Sequence, residues 1–341
     1  MLLNTLATQS QLHNSPSRQD GIPEHLEYQI RLYGCQLIQG AGILLGLPQR
    51  VMATAQVLYQ RFWFVSSLKH FSSRDICMGS LFLSTKLEES PVRLRDLINA
   101  FDYLIKRDRH HSRHGSAMAA LATQLGPIHG QLHERREHAS HQPHVYEPQG
   151  YFDNDFYEMK DALVVGEMQL LKRLGFHVQV NLPYATMVNY LQLLELSSAQ
   201  VQVRLCPRGT HSASEGEGAE ARPGHRRVDF AQRAWGFLND ALQTPVYCLL
   251  PPHVLACSVI YLTAQTAEPP FALPLEPMPW WELFDVQHGE IEVVCCHILR
   301  LYHSDSPSAM IRAGSGGLSA LLTKKDVKEW LVNNGRAEGL L

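Results

Sequence analysis

The sequence lacks long hydrophobic runs and a large excess of charge of either sign. None of its apolar stretches approaches the roughly 20 residues that a membrane-spanning helix needs. Residues 1–15 have neither the positive start nor the apolar core of a signal peptide. A net charge of −3 at pH 7 predicts no general attraction to nucleic acid or acidic lipid. We therefore expect a globular protein with no membrane contact and no direct, specific DNA binding.

Cysteine is scarce, and familiar catalytic motifs are absent. The seven cysteines include no Cys-x-x-Cys pair, which argues against a zinc ribbon or a disulfide scaffold. Several lie on apolar helical faces, so we expect buried free thiols in a reducing compartment. The chain has no phosphate-binding glycine loop, no G-x-S-x-G and no H-E-x-x-H. We expect no catalytic residues, no metal site and no cofactor.

What the sequence does contain is helical periodicity, most clearly in residues 48–104. Apolar residues recur at the spacing of one helical face in 51–65, 76–87 and 94–105, with very short connections between these runs. The middle run is also rich in small residues, which let other helices approach its backbone closely. We therefore predict an all-α bundle with this helix at its centre. The small residues are Cys77, Gly79, Ser80, Ser84 and Thr85.

The second half of the chain repeats the first. A shift of 179 positions places the apolar pattern of 51–62 on 230–241 and that of 76–84 on 255–263. One offset thus covers two helices and the connection between them, which indicates a duplicated domain. Lys86 falls on Gln265 under this shift, so the two halves differ at that position.

Composition and periodicity together divide the chain into segments. The predicted segments are a disordered start (1–20), an N-terminal helical segment (21–47), a first five-helix domain (48–197), a linker (198–226), a second domain (227–304) and a tail with a short helix opened by a capping box at Thr323 (305–341). The first domain includes the helix that begins near Asp153 and ends at Gly175, and a further helix after Pro183.

Residues 106–150 are predicted to be an insertion within the first domain. They contain eight histidines and show weak periodicity, which favours a mobile loop. The histidines could bind zinc, and the basic run 106–113 could contact RNA or direct nuclear import. A solvated, charged loop is the preferred interpretation of both features.

The end of the central helix carries a distinctive string. Residues 83–91 read Leu-Ser-Thr-Lys-Leu-Glu-Glu-Ser-Pro, and residues 93–98 read Arg-Leu-Arg-Asp-Leu-Ile. This string resembles the cyclin box of the transcription-associated cyclins, and residues 34–48 resemble cyclin L in particular. The resemblance implies the cyclin fold, which consists of two tandem five-helix cyclin boxes with an N-terminal helix.

The resemblance also implies a function. A cyclin is a non-catalytic regulatory subunit that binds and activates a cyclin-dependent kinase as a heterodimer. For cyclin L the implied kinase is of the PITSLRE type, and the implied setting is RNA polymerase II transcription and pre-mRNA splicing in the nucleus, with splicing or transcription factors as further partners. Cyclin L proteins often carry a long Arg/Ser-rich tail, which these 341 residues do not contain.

Glu167 is the most informative candidate residue. It lies within the apolar arc of its helix, between Leu163 and Leu171, so an ionised carboxylate there must be paired or lie at an edge that a partner covers. Lys86 is the natural candidate to lie nearby, either as an internal ion pair or as part of a partner contact. The resemblance implies that Lys86 and Glu167 hold the regulatory C-helix of the kinase inward. The other kinase-binding residues that it implies are Phe82, Glu89, Arg93 and Leu163.

Two alternative functions remain open. A cyclin T- or K-like elongation cyclin would share the same box. Transcription factor IIB uses the same tandem fold as a scaffold on DNA and polymerase. That scaffold relies on basic faces and an N-terminal zinc ribbon, and both are missing here. The kinase regulator is therefore the preferred interpretation.

Overall fold

A computed structural model of the chain describes residues 6–124, 146–148, 150, 153–196, 230–267, 273–303 and 321–337. Within these ranges all the regular secondary structure is helical, and the predicted all-α class is confirmed. The elements are α1 (Gln9–His13), α2 (Pro16–Gln19), α3 (Glu24–Leu44), α4 (Gln49–Val65), α5 (Ser73–Leu87), α6 (Leu94–Gln124), α7 (Asn154–Arg173), α8 (Tyr184–Leu193), α9 (Phe230–Ala241), α10 (Val246–Leu249), α11 (Pro252–Thr266), a 3₁₀ helix (Trp280–Phe284), α12 (His288–Tyr302) and α13 (Lys324–Ala337).

The helix α5 is the central helix of the first half of the chain, as predicted. The helices α3, α4, α6 and α7 all pack against it. Its small polar residues can be buried at low cost because their hydroxyls bond to backbone carbonyls. The hydroxyl of Ser80 donates to the Ile76 carbonyl at 2.7 Å, and that of Ser84 donates to the carbonyl of Val51 on α4.

Three aromatic side chains of α4 fill the space beside α5. Tyr59, Phe62 and Trp63 are fully buried. The Trp63 ring meets Phe62 edge-on at 5.0 Å and Tyr59 at 5.7 Å between centroids, the arrangement that aromatic quadrupoles favour. The helix α4 also packs against α3, so it contacts two neighbouring helices.

Helix ends follow local sequence signals. The Ser72 hydroxyl accepts a hydrogen bond from the Asp75 N–H at 3.3 Å and caps the start of α5. Gly175 follows α7 with φ +57°, the left-handed conformation that glycine adopts readily, which confirms the predicted end of that helix. The predicted capping box before α13 is also confirmed, because Thr323 and Asp326 exchange backbone-to-side-chain bonds of 3.3 and 3.1 Å.

Contacts divide the chain into two compact units. The first unit comprises residues 1–180 and 301–341, and the second comprises residues 181–300. Five long helices, α3 to α7, form the body of the first unit, with α13 attached to it. The second unit contains α8 to α11, the 3₁₀ helix and most of α12. Each unit is all-helical among the residues that the structure describes, which agrees with the predicted tandem arrangement of helical domains.

The division falls earlier than the predicted domain end at residue 197. The helix α8 packs against α9 and α11, with Tyr184, Met187 and Leu191 buried. Tyr184 donates a hydrogen bond to the Asn239 side chain at 2.7 Å. The fifth helix of the first unit is instead α3, which the sequence interpretation kept apart as an N-terminal segment. Periodicity shows which face of a helix is buried but not which neighbour covers it.

The internal repeat matches the observed helix bounds. A shift of 179 positions carries Ser73–Leu87 onto Pro252–Thr266, and these are the limits of α5 and α11. The helix α4 likewise falls on α9 to within a few residues. The duplication read from the apolar pattern thus corresponds to duplicated helices.

Two predictions of irregular structure need correction. The helix α6 extends to Gln124, so residues 106–124 are helical and not a loop. This stretch contains good helix formers such as Ala, Leu, Met and Arg, and it continues a helix that is already nucleated. Residues 125–145 lie outside the described ranges.

The predicted disordered start is likewise ordered from residue 6 onward where the structure describes it. The Ser15 hydroxyl donates to the Glu27 carboxylate at 2.8 Å, and Arg18 pairs with the same carboxylate at 3.2 Å. Glu27 is only 2% exposed and also lies 3.6 Å from Arg31. Because a buried carboxylate requires such partners, the polar residues of this segment are held against α3.

Cysteine burial agrees with the expectation of free thiols. Burial raises the pKa of the Cys257 and Cys295 thiols to about 12. Cys296 is exposed, and Cys206 lies outside the described ranges. Along the ranges that are described, no helix has both the length and the apolarity needed to cross a bilayer. The buried cysteines, none of which forms a disulfide, are Cys35, Cys77, Cys248, Cys257 and Cys295.

Candidate functional site

The candidate site lies where α5 and α7 cross, and two glycines set the closeness of this crossing. A Cβ atom built on Gly79 would lie 2.6 Å from the backbone nitrogen of Glu167. A Cβ atom on Gly166 would collide with the backbone oxygen of Asp75. Backbones can approach this closely only where side chains are missing. The crossing therefore fixes the position of Glu167 relative to α5.

Lys86 and Glu167 form an ion pair at this crossing. The Lys86 Nζ atom lies 2.6 Å from Glu167 Oε1. The lysine side chain is 50% exposed, whereas the glutamate side chain is 14% exposed. The Lys86 ammonium also lies 4.0 Å from the centroid of the Phe82 ring, within the range of a cation–π contact. The two residues that the sequence singled out are thus brought together, with Phe82 beside them.

The energy of this pair within the fold is small. Exposed and half-exposed ion pairs contribute about 0–1 kcal/mol, because water screens the charges and the side chains lose freedom. Lys86 carries three donor protons, and its exposed half can face a partner while the pair with Glu167 keeps its orientation. The Lys86 ammonium, a hydrogen-bond donor, and the Glu167 carboxylate, an acceptor, thus lie side by side in a fixed orientation at the surface of the first unit.

Exposed apolar side chains lie beside the ion pair. At 100° per residue, the outward face of α7 next to Glu167 carries Val164, Met168 and Tyr157. Each of them is between 46% and 47% exposed. Leu87, the last residue of α5, is 41% exposed. We define the α5–α7 surface as Phe82, Lys86, Leu87, Tyr157, Val164, Glu167 and Met168.

The sequence interpretation missed most of these apolar residues. It used the apolar residues of α7 only to locate the buried face. The sequence did contain a sign of this surface. Val164 and Met168 make the apolar face of α7 wider than the part that is buried in the core. A group of exposed apolar side chains on one helix face indicates a surface that a partner can cover.

The other predicted contact residues differ in their accessibility. Leu163 has no exposed surface, because it packs in the core of the first unit. A partner cannot touch its side chain in this conformation, so it does not belong to the α5–α7 surface. Glu89 and Arg93 are exposed in the connection between α5 and α6. Glu89 adopts φ +52° and ends the helix.

The second unit does not reproduce the ion pair. Gln265 stands where Lys86 stands in the first unit and is exposed. Val294, in the region of α12 that corresponds to Glu167, is fully buried. The charged arrangement is therefore a property of the first unit among the residues that are described.

Known proteins similar to this chain were found by sequence. It is 34% identical to cyclin-L2 of Mus musculus over 301 residues, which are 88% of this chain and 46% of that protein. It is 34% identical to cyclin-L1 of Gallus gallus over 301 residues, 88% of this chain and 44% of that protein. Human cyclin-L1 is 33% identical over 305 residues, 89% of this chain and 46% of that protein. The chain thus spans less than half the length of these relatives. No protein-family model matches it.

A solved structure supports the fold independently. A chain of the yeast RNA polymerase II CTD kinase complex CTDK-1 matches with a TM-score of 0.56 and 13% sequence identity. The match covers 97% of this chain and 84% of that chain. At this identity the likeness concerns the fold alone. The sequence relatives and this structural match confirm the predicted resemblance and the predicted fold.

Proposed function

By sequence the chain belongs to the cyclin L family, and on that premise we propose that it is a regulatory subunit that binds and activates a cyclin-dependent kinase. The chain itself has no catalytic role in this proposal. Because of the cyclin L resemblance, we propose that this kinase is of the PITSLRE type. The complex acts in the nucleus, in RNA polymerase II transcription and the regulation of pre-mRNA splicing, and splicing or transcription factors are further partners.

The observation that carries this proposal is the ion pair between Lys86 and Glu167 within an exposed apolar surface. The pair combines charge with a fixed orientation, and the apolar residues around it can be buried by a partner. Charged groups at the centre of such an interface set register and specificity, while the apolar residues contribute most of the affinity.

The mechanism follows from what an inactive kinase lacks. A kinase active site needs the ion pair between its β3 lysine and the glutamate of its C-helix, and that helix must lie inward to form the pair. In our proposal Lys86 and Glu167 bond to the C-helix region of the kinase, while Val164 and Met168 cover its apolar side. Because these contacts exist only with the helix inward, binding shifts the kinase towards its active state.

Reconstitution tests the proposal. The chain would be expressed with a PITSLRE-type kinase, and separately with kinases of the cyclin T and cyclin K type, and phosphorylation of a polymerase C-terminal-domain peptide would be measured. We expect a stable heterodimer and activation with the PITSLRE-type kinase. Activation only of the T- or K-type kinases would assign the chain to the elongation cyclins. Binding to duplex DNA at moderate salt without any kinase binding would favour the transcription factor IIB-like alternative.

A further inference from the structure

The connection between α5 and α6 contains a sequence pattern that the proposed function does not use. Four positions in the chain have serine or threonine directly before proline, and at two of these an arginine lies three residues after the serine. Proline-directed kinases accept this Ser-Pro-x-Arg pattern. Proline suits the position after the serine because it has no backbone N–H that the kinase cleft would leave without a hydrogen-bond partner. The arginine can pair with an acidic side chain of the kinase. The four positions are Ser15, Ser90, Thr244 and Ser306, and the two arginines are Arg18 and Arg93.

Burial separates these candidates. Ser15 is 1% exposed and Thr244 has no exposed surface. The Ser15 hydroxyl is bonded to the Glu27 carboxylate, and Arg18 is paired with the same group. A kinase could reach Ser15 only after this segment detached from α3. Ser306 lies outside the described ranges.

Ser90 has a different environment. It lies in residues 88–93, which belong to no helix and connect α5 with α6 at the surface. Pro91 and Arg93 are exposed, and Ser90 is half-buried. Its hydroxyl makes only a long bond of 3.3 Å to the Glu88 carbonyl. Kinases bind their substrates as extended chains, so binding would break the hydrogen bond of 2.8 Å that the Ser90 N–H donates to the Thr85 carbonyl. This change is local to the connection and leaves the bodies of α5 and α6 folded.

We propose that Ser90 is a phosphorylation site for a proline-directed serine/threonine kinase. In the transfer, Ser90 Oγ bonds to the γ-phosphorus of Mg²⁺-bound ATP as the bond to the β,γ-bridging oxygen breaks. ADP leaves, and the hydroxyl proton passes to the catalytic aspartate of the kinase. This proposal does not depend on the proposed cyclin function, because any kinase of this class would serve.

The modification would place a strong charge near the α5–α7 surface. A phosphoserine carries about −1.5 to −2 charges at pH 7. It would lie four positions after Lys86, at the C-terminal end of α5, beside Glu88 and Glu89. The helix dipole disfavours negative charge at this end. Phosphorylation would therefore alter the charge of the segment that presents Lys86.

The two Ser-Pro-x-Arg sites provide an internal control for the test. The folded full chain would be incubated with Mg-ATP and an active cyclin-dependent kinase bound to its own cyclin. Two synthetic peptides that span residues 10–23 and 85–98 would serve as unfolded references. Phosphate at Ser90 and Ser15 would be followed by mass spectrometry. In the folded chain we expect Ser90 to be modified at least about tenfold faster than Ser15, because Ser15 reacts only after local opening. In the two peptides, where neither serine is buried, the rates at Ser15 and Ser90 should be similar.

Variants sharpen the result. Ser90→Ala should abolish the main signal, and Arg93→Ala should lower the Ser90 rate severalfold, whereas Arg95→Ala should leave it unchanged because Arg95 lies outside the recognised pattern. The proposal is overturned if Ser90 of the folded chain stays unmodified, whether or not the peptide of residues 85–98 reacts. Equal rates at Ser15 and Ser90 in the folded chain would also overturn it.

Discussion

Adjacent residues of α7 have opposite environments, and this makes the α5–α7 surface testable at the scale of single side chains. Leu163 is fully buried and Val164 is 46% exposed. Truncation of a buried leucine to alanine removes apolar contacts and leaves a cavity. A change at Val164 leaves the core intact and alters only what a partner would meet. The two effects can therefore be measured separately.

We predict that Leu163→Ala lowers the free energy of unfolding by about 2–5 kcal/mol. Val164→Asp should change it by less than about 0.5 kcal/mol, as is usual for surface substitutions, yet weaken kinase binding by about tenfold or more. Urea denaturation and a binding titration with the kinase measure the two quantities. Unchanged binding by Val164→Asp would remove the outward face of α7 from the interface.

Cys295 and Cys296 form a second pair of contrasting neighbours. Burial raises the pKa of the Cys295 thiol to about 12, while Cys296 is exposed. Since the thiolate is the reactive form, we predict that iodoacetamide at pH 8 alkylates Cys296 quickly and Cys295 only after unfolding. Even at pH 9 the Cys295 thiol remains almost entirely protonated, so its labelling in the folded chain should stay slow. Equal labelling of both residues in the folded chain, read by mass spectrometry, would show that α12 is open.

At this scale the sequence is informative about charges and less so about exposed apolar residues. Glu167 could be predicted because a carboxylate within an apolar arc needs a partner, and Lys86 could be proposed from its position at a helix end. Val164 and Met168 could not be separated from core residues, because periodicity does not state how much of an apolar arc the neighbouring helices cover. Leu163 was included among the contact residues because of the family resemblance, which does not report how deeply a side chain is buried.

At the scale of helices, the contact between α5 and α7 depends on its two glycines. We predict that Gly79→Ala and Gly166→Ala each destabilise the chain by about 1–3 kcal/mol, because the added methyl meets backbone atoms that cannot yield easily. They should also reduce kinase activation by displacing Glu167 from Lys86.

Gly236 in α9 is the matched control for these variants. A Cβ atom there meets nothing within 4 Å, so Gly236→Ala should stabilise its helix by about 0.5–1 kcal/mol through helix propensity alone. Urea denaturation compares the three variants. If Gly79→Ala and Gly166→Ala behaved like Gly236→Ala, the close crossing would be refuted.

The helices themselves were largely predictable, and their partners were not. The ends of α5, α7 and α13 follow from local signals such as Ser72, Gly175 and Thr323. The assignment of α8 to the second unit depends on Tyr184 and its contacts with α9, which no local pattern reveals. The helical extension of α6 was missed because weak periodicity was taken as the absence of a helix.

For the whole molecule, the C-terminal segment completes the first unit. The Leu322 carbonyl accepts hydrogen bonds from the Arg74 N–H at 3.2 Å and from the Ser72 hydroxyl at 3.1 Å, at the start of α5. Leu322 and Val327 are buried in the same core. Contacts between residues 250 positions apart in sequence cannot be read from local patterns.

We predict that Leu322→Ala lowers the free energy of unfolding of the first unit by about 2–5 kcal/mol, since it removes a buried leucine side chain. Val332→Ala is the control, because Val332 lies in α13 but is 45% exposed. Hydrogen exchange of the α5 amides reports on the first unit. Equal protection in both variants would indicate that the C-terminal segment does not stabilise it.

The most direct test of the central claim is the activity of a kinase reconstituted with the charge-swapped chain Lys86→Glu/Glu167→Lys. The swap restores an internal ion pair with opposite polarity, so the chain should stay folded. The negative charge at the C-terminal end of α5 and the lost contact with Phe82 should cost only about 1 kcal/mol of stability. The control Lys325→Glu/Glu329→Lys should also stay folded. If a kinase contacts these charges, activation should fall by about tenfold or more, because a mispaired charge at an interface costs several kcal/mol. Full activation by the swapped chain would contradict the account.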